Sequence, residues 1–176
     1  MTRTIEIRPL VPADDRSGFS CGEPPLDRFF QHYAGQNQFK LRLSVTYVAV
    51  EDAEIVGFAT VAVGSIEKQA LPSKNLRQRL PAYPLPILRL ARLGVAQSSQ
   101  GSGVGYRLLR HVLELALAQR DTLGCVGVVT DAKPDAAAFY DKLGFMALEG
   151  IRRGRLHGGP TPMFLDIRTL AKALEG

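Results

Sequence analysis

Ile87-Leu88-Arg89-Leu90-Ala91-Arg92-Leu93-Gly94-Val95, followed by Gln100-Gly101-Ser102-Gly103-Val104-Gly105 and then the run to Gln119, decides the fold. The first stretch reads as a strand whose near-continuous apolar character suits a central position. Arg89 and Arg92 interrupt it, on opposite faces under period-two alternation. From Gly103 to Gln119 the pattern turns helical, with Val104, Leu108, Val112, Leu115 and Ala116 on one stripe. Gly101, Gly103 and Gly105 stand where the strand gives way to the helix. Such a turn permits close approach, and the unpaired N–H groups at the helix start can bind phosphate oxygens. The dinucleotide fingerprint belongs on the first strand of a βαβ unit, with an acidic residue about 20 positions later. This turn lies in mid-chain, and it lacks the Lys-Ser/Thr pair of a P-loop. Both observations argue against an ATP or NAD site.

Working outward, residues 4–8 alternate Ile5 and Ile7 with polar neighbours, as a half-buried strand does. Gly22-Glu23-Pro24-Pro25 leads into a helix predicted over residues 26–36, with Pro25 suited to a first-turn position. Residues 45–50 and 55–63 read as two strands joined by a hairpin turn at 52–54. Residues 71–86 carry four prolines, so they are mostly loop, with one short helix around 73–79. A strand is expected at 124–130, a short helix at 135–143 ended by Gly144, and a last strand at 163–167. Strands and helices interleave with short connections. The architecture is α/β, a mixed and mostly antiparallel central sheet flanked by helices.

At 176 residues the chain is about one domain's worth, and 1–176 is read as a single domain. Hydrophobic residues make up 45% and charged residues 22%, values that argue against disorder. No apolar run approaches the roughly 18 residues of a membrane span, and the first ten residues lack a signal peptide's apolar core. Two cysteines, Cys21 and Cys125, make no disulfide framework and no four-ligand zinc site. A reducing, cytoplasmic setting is expected.

The net charge of +5 is unevenly distributed. Residues 1–60 hold six Lys/Arg against eight Asp/Glu, whereas residues 68–92 hold six basic residues and no acid. Those six are Lys68, Lys74, Arg77, Arg79, Arg89 and Arg92; a second acid-free cluster is Arg152, Arg153 and Arg155. Such concentration suits a polyanionic partner, or equally a solvated face that keeps the protein soluble.

Leu90-Ala91-Arg92-Leu93-Gly94-Val95 followed by Gln100-x-x-Gly103-x-Gly105 resembles the acetyl-CoA-binding signature of the GNAT N-acetyltransferases, Q/R-x-x-G-x-G/A. Ala138-Phe139-Tyr140 with Gly144-Phe145 resembles that family's later motif, 35 residues beyond Gly105. The two motifs and their flanking strands cover residues 45–168. A narrower resemblance spans nearly the whole chain. Phe19-Ser20-Cys21-Gly22 with Leu26-Asp27-Arg28-Phe29, Pro84-Leu85-Pro86-Ile87, and Met163-Phe164-Leu165 are similar to segments of the acetyltransferase toxins of type II toxin–antitoxin systems. The chain departs from that pattern at Gly94, where alanine is usual, at Ala96, where aspartate is common, and in a basic turn over residues 152–157.

The resemblance implies roles. Backbone amides of Gln100, Gly101, Ser102, Gly103, Val104 and Gly105 would hold the pyrophosphate of acetyl-CoA. Leu93, Gly94 and Val95 would line its pantetheine arm, and Tyr140 would donate a proton to the departing thiolate. A phenol and a thiol are close enough in pKa, about 10 and about 8.5, for that exchange. Without the motif around it, Tyr140 would read as packed on the sheet with a wet hydroxyl. The toxins acetylate the α-amine of aminoacyl-tRNA, are neutralised by a small ribbon-helix-helix antitoxin, and form homodimers. Arg89 and Arg92 are the candidates for the tRNA acceptor end, with Lys74, Arg77 and Arg79 as backbone clamps; an internal ion pair is the other reading of Arg92. The rival functions are acetylation of a small amine, a peptide or a protein N-terminus, and a non-catalytic acetyl-CoA sensor or RNA-binding module.

No Asp or Glu lies on the strand 87–95, so the acceptor amine is expected to reach its neutral form through water. Cys125 reads as core, Cys21 as a loop cysteine without a neighbouring histidine. His32, His111 and His157 have no metal-ligand spacing, and His111 reads as surface. No metal is expected.

Overall fold

The computed structural model describes residues 4–148 and 159–176. The basic turn expected over 152–157, with Arg152, Arg153, Arg155 and His157, lies outside them. In chain order the elements are β1 (Glu6–Pro9), α1 (Pro24–Arg28), β2 (Val45–Glu51), β3 (Glu54–Ile66), α2 (Lys74–Arg79), β4 (Leu85–Val95), α3 (Val104–Thr122), β5 (Gly127–Ala132), α4 (Ala137–Lys142), β6 (Met146–Ala147), β7 (Thr161–Asp166) and α5 (Ile167–Glu175). Hydrogen bonding orders seven strands β1-β2-β3-β4-β5-β7-β6 in one sheet. The pairings β1·β2, β2·β3, β5·β7 and β6·β7 are antiparallel. The α/β class follows directly from the alternation of period-two and helical segments. The chain forms two compact units, one comprising Met1–Ala62 and Leu90–Val112, the other Val63–Arg89 and Leu113–Gly176.

The first unit is built around four phenylalanines. Phe58 of β3 stacks on Phe30 with centroids 4.5 Å apart, and Phe19 meets both edge-on at 4.9 and 5.5 Å. Leu10, Cys21, Phe29, Ala34 and Val48 complete this core. The helix expected at 26–36 is longer: after α1 the chain continues in two π-helical turns, Phe29–Tyr33 and Gln36–Lys40. Those wide turns carry Phe29, Phe30 and Gln38 to buried positions. Gln38 is satisfied there, donating to Leu10 O at 3.1 Å and accepting from Thr46 N at 2.8 Å, as a buried amide must be. β2 and β3 join through a two-residue turn, shorter than expected. Asp52 and Ala53 both hold left-handed backbone there, at φ +50° and +64°.

The second unit packs Ile66, Leu71, Leu76, Leu85, Ile87, Val129, Leu148 and Phe164 together. Ser73 caps α2, accepting from Leu76 N at 3.2 Å, which fixes the short helix within the proline-rich stretch. The two-residue β6 carries no period to read, whereas α5, which follows β7 without a break, has Ile167, Leu170, Ala171 and Leu174 at helical spacing and was not among the expected elements. The strand expected at 124–130 starts three residues later, at Gly127.

Gly94, the departure from the family pattern, has a packing cause. A Cβ there would stand 2.8 Å from Cε1 of Phe58, closer than real Cβ contacts come. Gly94→Ala is expected to destabilise the fold by about 1–3 kcal/mol through overpacking. Adding Phe58→Leu should recover part of that loss; thermal or denaturant unfolding of the single and double variants checks it.

Candidate active site

The glycine turn belongs to the first unit. Ala96 N donates to Val56 O at 2.8 Å and Gln97 N to Ser20 O at 2.9 Å, so the chain leaving β4 is held on both sides. A 3-10 turn, Gln97–Ser99, comes next. Gln100 N then closes on Gln97 O at 3.4 Å and Ser102 N on Ser99 O at 3.3 Å, with the Ser102 hydroxyl donating to the same Ser99 carbonyl. Gly101 and Gly103 hold φ of +80° and +89°, a region that side chains rarely adopt. Nothing lies within 4 Å of a Cβ built on either, so the turn's surface is open. Gly105 is different: a Cβ there would make ordinary contact with Val95 at 3.5 Å, so alanine would fit.

The α3 ladder opens with Arg107 N donating to Gly103 O at 3.1 Å. The amides of Val104, Gly105 and Tyr106 precede it and have no acceptor within the helix, where the dipole favours negative charge. Open backbone, two left-handed glycines and a 19-residue helix behind them fit a pyrophosphate. The side chain of Gln100 does another job. Its Nε2 donates to Cys21 O at 2.9 Å and to Val95 O at 3.1 Å, so it braces the turn.

Leu93 and Val95 are half-buried at the end of β4, and Gly94 between them is buried. Arg92 stacks its guanidinium on the Phe29 ring, 3.9 Å from the centroid, a cation–π contact in the place of the ion pair weighed for it. Both residues border a cleft of about 410 Å³ with Pro25, Arg28, Tyr33 and Asn37. Sequence reading did not find this cleft, because Arg28, Tyr33 and Asn37 meet only through the π-helical continuation of α1.

Tyr140 belongs to the second unit, on α4, and only 5% of it is exposed. Its ring meets Phe139 and Phe145 edge-on, at 5.2 and 5.3 Å. The side chain is buried rather than lying wet on the sheet. Burial pushes the phenol above its usual pKa, and a hydrogen bond with the Thr130 side chain on β5 offsets part of that rise. Thr130 itself is buried and has no distinguishing sequence signal. A phenol held above about 10 is protonated throughout the neutral range, which suits a proton or hydrogen-bond donor.

The basic candidates divide. Arg77 donates to Leu71 O at 2.7 Å, and Arg79 pairs with Asp166 at 3.2 Å, so both have internal partners. Lys74 is exposed on α2, and Arg89 is half-buried on β4. Cys125 is buried just ahead of β5, and burial raises its thiol pKa, as a core cysteine's should be. Cys21 lies in a loop, as expected, and is buried there. His32 is exposed; His111, expected at the surface, is half-buried with its ring 4.6 Å from that of Tyr47. Among the described residues, no group of three or more His, Cys, Asp or Glu could hold a metal. Among them, too, no helix is long and apolar enough to cross a membrane.

A strand feeding an open glycine turn and a long helix, followed by a strand and a short helix with a buried tyrosine, defines an acyl-CoA-dependent transferase. Residues 42–147 match the family model of the acetyltransferase (GNAT) domain, and the chain belongs to the GNAT acetyltransferase family. It is 34% identical over 134 residues to the tRNA-acetylating toxin of Mycobacterium tuberculosis (strain ATCC 25618 / H37Rv), covering 76% of this chain and 79% of that protein. It is 40% identical over 145 residues to the 5-NmdU N-acetyltransferase of Pseudomonas phage PaMx11, covering 80% and 86%. The crystal structure of AtaTR bound with AcCoA matches with a TM-score of 0.77, 26% identity and coverage of 96% and 97%. AtaT complexed with acetyl-methionyl-tRNAfMet matches with a TM-score of 0.81, 26% identity and 98% of both chains. The protein is an acetyltransferase that uses acetyl-CoA.

Tyr140→Phe keeps the ring packing and removes the hydroxyl. It should lower kcat by about 10²–10⁴-fold with little change in the KM for acetyl-CoA, as for loss of a positioned proton donor. Steady-state acetyl transfer measures both constants.

Proposed function

We propose that the protein is a toxin that acetylates the α-amine of aminoacyl-tRNA and so blocks translation. The observation that carries this reading is the likeness to a tRNA-acetylating toxin over three quarters of the chain. The acid-free run of six cations over residues 68–92 supports it. Bound acetyl-CoA supplies an activated thioester. The backbone of residues 100–105 would hold its pyrophosphate, and the β4 backbone at Leu93, Gly94 and Val95 would align its pantetheine arm. Tyr140 would hold a proton at its phenol oxygen for the departing sulfur. With a phenol pKa above that of a thiol, a strong hydrogen bond to the developing thiolate is favoured over complete transfer.

The acceptor's nitrogen forms the new bond to the acetyl carbon as the carbon–sulfur bond breaks, and its proton leaves to water. No carboxylate stands on β4 to take it. An α-amine, with a pKa near 8, needs no more help than that. Arg89 and Arg92 would meet the acceptor end, and Lys74 the phosphate backbone. Arg77 and Arg79 would add charge from fixed positions. Such an enzyme would act in the cytoplasm as a homodimer restrained by a small ribbon-helix-helix antitoxin.

A second reading is supported by the likeness to a 5-NmdU N-acetyltransferase, and takes a different amine as acceptor. Labelled acetyl-CoA offered with charged tRNA, uncharged tRNA, 5-NmdU and a panel of free amines separates the two. Label on charged tRNA alone is the expected result. Label on 5-NmdU or free amines alone would keep the enzyme and sink the toxin.

The nucleic-acid substrate predicts salt dependence: kcat/KM for charged tRNA should fall roughly 10- to 100-fold between 50 and 200 mM salt, for three to five phosphate contacts. The pH profile follows from Tyr140. A raised pKa keeps its proton in place past pH 10, so activity should rise through about pH 8 with the amine. No alkaline fall belongs below about pH 10. A pH series of single-turnover rates reads both limbs.

A further inference from the structure

Residues 19–22, far from the cofactor turn in sequence, are laced to it. Gln97 N donates to Ser20 O at 2.9 Å, and the Ser20 hydroxyl donates to Gln97 Oε1 at 3.4 Å. Gln100 Nε2 donates to Cys21 O at 2.9 Å. A Cβ at position 22 would stand 2.8 Å from Gln97 Nε2, so the two segments lie in contact. The other side of residues 19–22 is anchored in the helical stretch. Asp27 Oδ1 accepts from Cys21 N at 2.8 Å, and Gln31 Nε2 donates to Phe19 O at 2.7 Å. The Ser20–Cys21 peptide is thus held on both sides, its N–H by Asp27 and its carbonyl by Gln97 N, and the Cys21 carbonyl on the next peptide takes Gln100.

We infer that Asp27 is a positioning residue for acetyl-CoA, acting through the Cys21 backbone and the Gln100 side chain to hold the turn in its open, left-handed form. This rests on the reading that residues 100–105 bind the cofactor. The physical logic is preorganisation. A turn that must adopt φ of +80° and +89° at two glycines has many other conformations open to it, and ordering it on binding would weaken affinity. Gln100 spends its amide on two carbonyls, and Asp27 fixes one of them. A charged acceptor gives the stronger hydrogen bond, and its removal leaves Cys21 N–H without that partner. The motif Phe-x-Cys-Gly…Leu-Asp at residues 19–27 thereby has a task at a site to which it contributes no side chain.

The test is calorimetric titration of CoA into the whole protein and its variants Asp27→Ala, Asp27→Asn, Gln100→Ala and the Asp27→Ala/Gln100→Ala double. Hydrogen exchange of the turn's amides with and without CoA is followed in parallel. Asp27→Ala and Gln100→Ala should each weaken CoA binding about tenfold. Because they act in series, the double variant should be no weaker than the worse single by more than about twofold. Asp27→Asn keeps an acceptor oxygen and should stay within about threefold of the parent. Turnover of Asp27→Ala at saturating acetyl-CoA should change less than about twofold, so the effect falls on KM. An unchanged CoA affinity in Asp27→Ala, or fully additive losses in the double variant, overturns the inference while CoA still protects the turn. If CoA protects no amide of residues 101–106, the site reading itself fails, and the inference with it. Should Asp27→Ala not fold, Gln100→Ala with undiminished affinity is enough to overturn it.

Discussion

The ring of Phe58, stacked on Phe30 at 4.5 Å, fills the space that a side chain at position 94 would need. Much of the first unit follows from that contact. It sets glycine in the last turnings of β4, where the family pattern has alanine, and it draws the helical stretch of residues 24–40 against β3. Phe29 on the same stretch then meets Phe58 at 6.4 Å and presents its face to Arg92. Hence the chain's choice of Phe at 58 constrains the backbone of β4 at Gly94 and the position of a cation beside it. An aromatic stack of this kind contributes about 0.5–1.5 kcal/mol beyond its buried area. Its larger consequence is geometric, since four rings leave few ways to fill one core.

The chemistry depends on a different economy, the separation of what is held from what is offered. In the glycine turn the side chains and several amides are bonded inward, and the helix-start amides face outward. At Tyr140 the ring is locked by Phe139 and Phe145, with the hydroxyl partnered by Thr130 in a buried setting. A phenol in such a setting resists ionisation, so its useful form is the protonated one. In the proposed reaction, stabilising charge on a leaving sulfur by a hydrogen bond would ask no more of it than that. The absence of a carboxylate on β4 fits an acceptor that already titrates near neutrality, because a general base repays its placement only when the amine is strongly basic.

How far this could be read in advance differs by element. The strand, turn and helix from Ile87 to Gln119 were legible because a near-continuous apolar run gives way to a helical stripe within a short span and glycines mark the junction. The later tyrosine was legible only through the motif around it; nothing in composition distinguishes a buried Tyr from a wet one. Thr130, its partner, gives no signal at all, since a threonine in an apolar strand reads the same with or without a phenol against it. The two π-helical turns were equally silent. Their hydrogen bonds differ by one residue from an α-helix, yet they rotate Gln38 into the core and bring Arg28, Tyr33 and Asn37 to one cleft. Leu109 and Leu113 are buried beside the expected α3 stripe and Leu115 only half so, because the helix buries a broader face than the stripe allowed.

Charge shows most clearly why counting is a poor guide to function. Six cations without an acid over residues 68–92 read as one basic segment, but the folded chain uses them unequally. Arg77 is spent on a carbonyl of its own loop, and Arg79 on Asp166 at the end of β7, a pairing 87 residues distant in sequence. Arg92 keeps its charge over an aromatic face, where it leaves guanidinium N–H groups for a further partner. An Arg engaged on one edge is not lost to an anion, since its planar fork has five donors and is held still by the first contact. Fixed cations of this sort lose less entropy on meeting a phosphate than mobile ones do. In the proposed function, Arg92, with its geometry set by the fold, would therefore contribute more to specificity toward a nucleic acid than exposed Lys74, whose part would be attraction along the phosphate backbone.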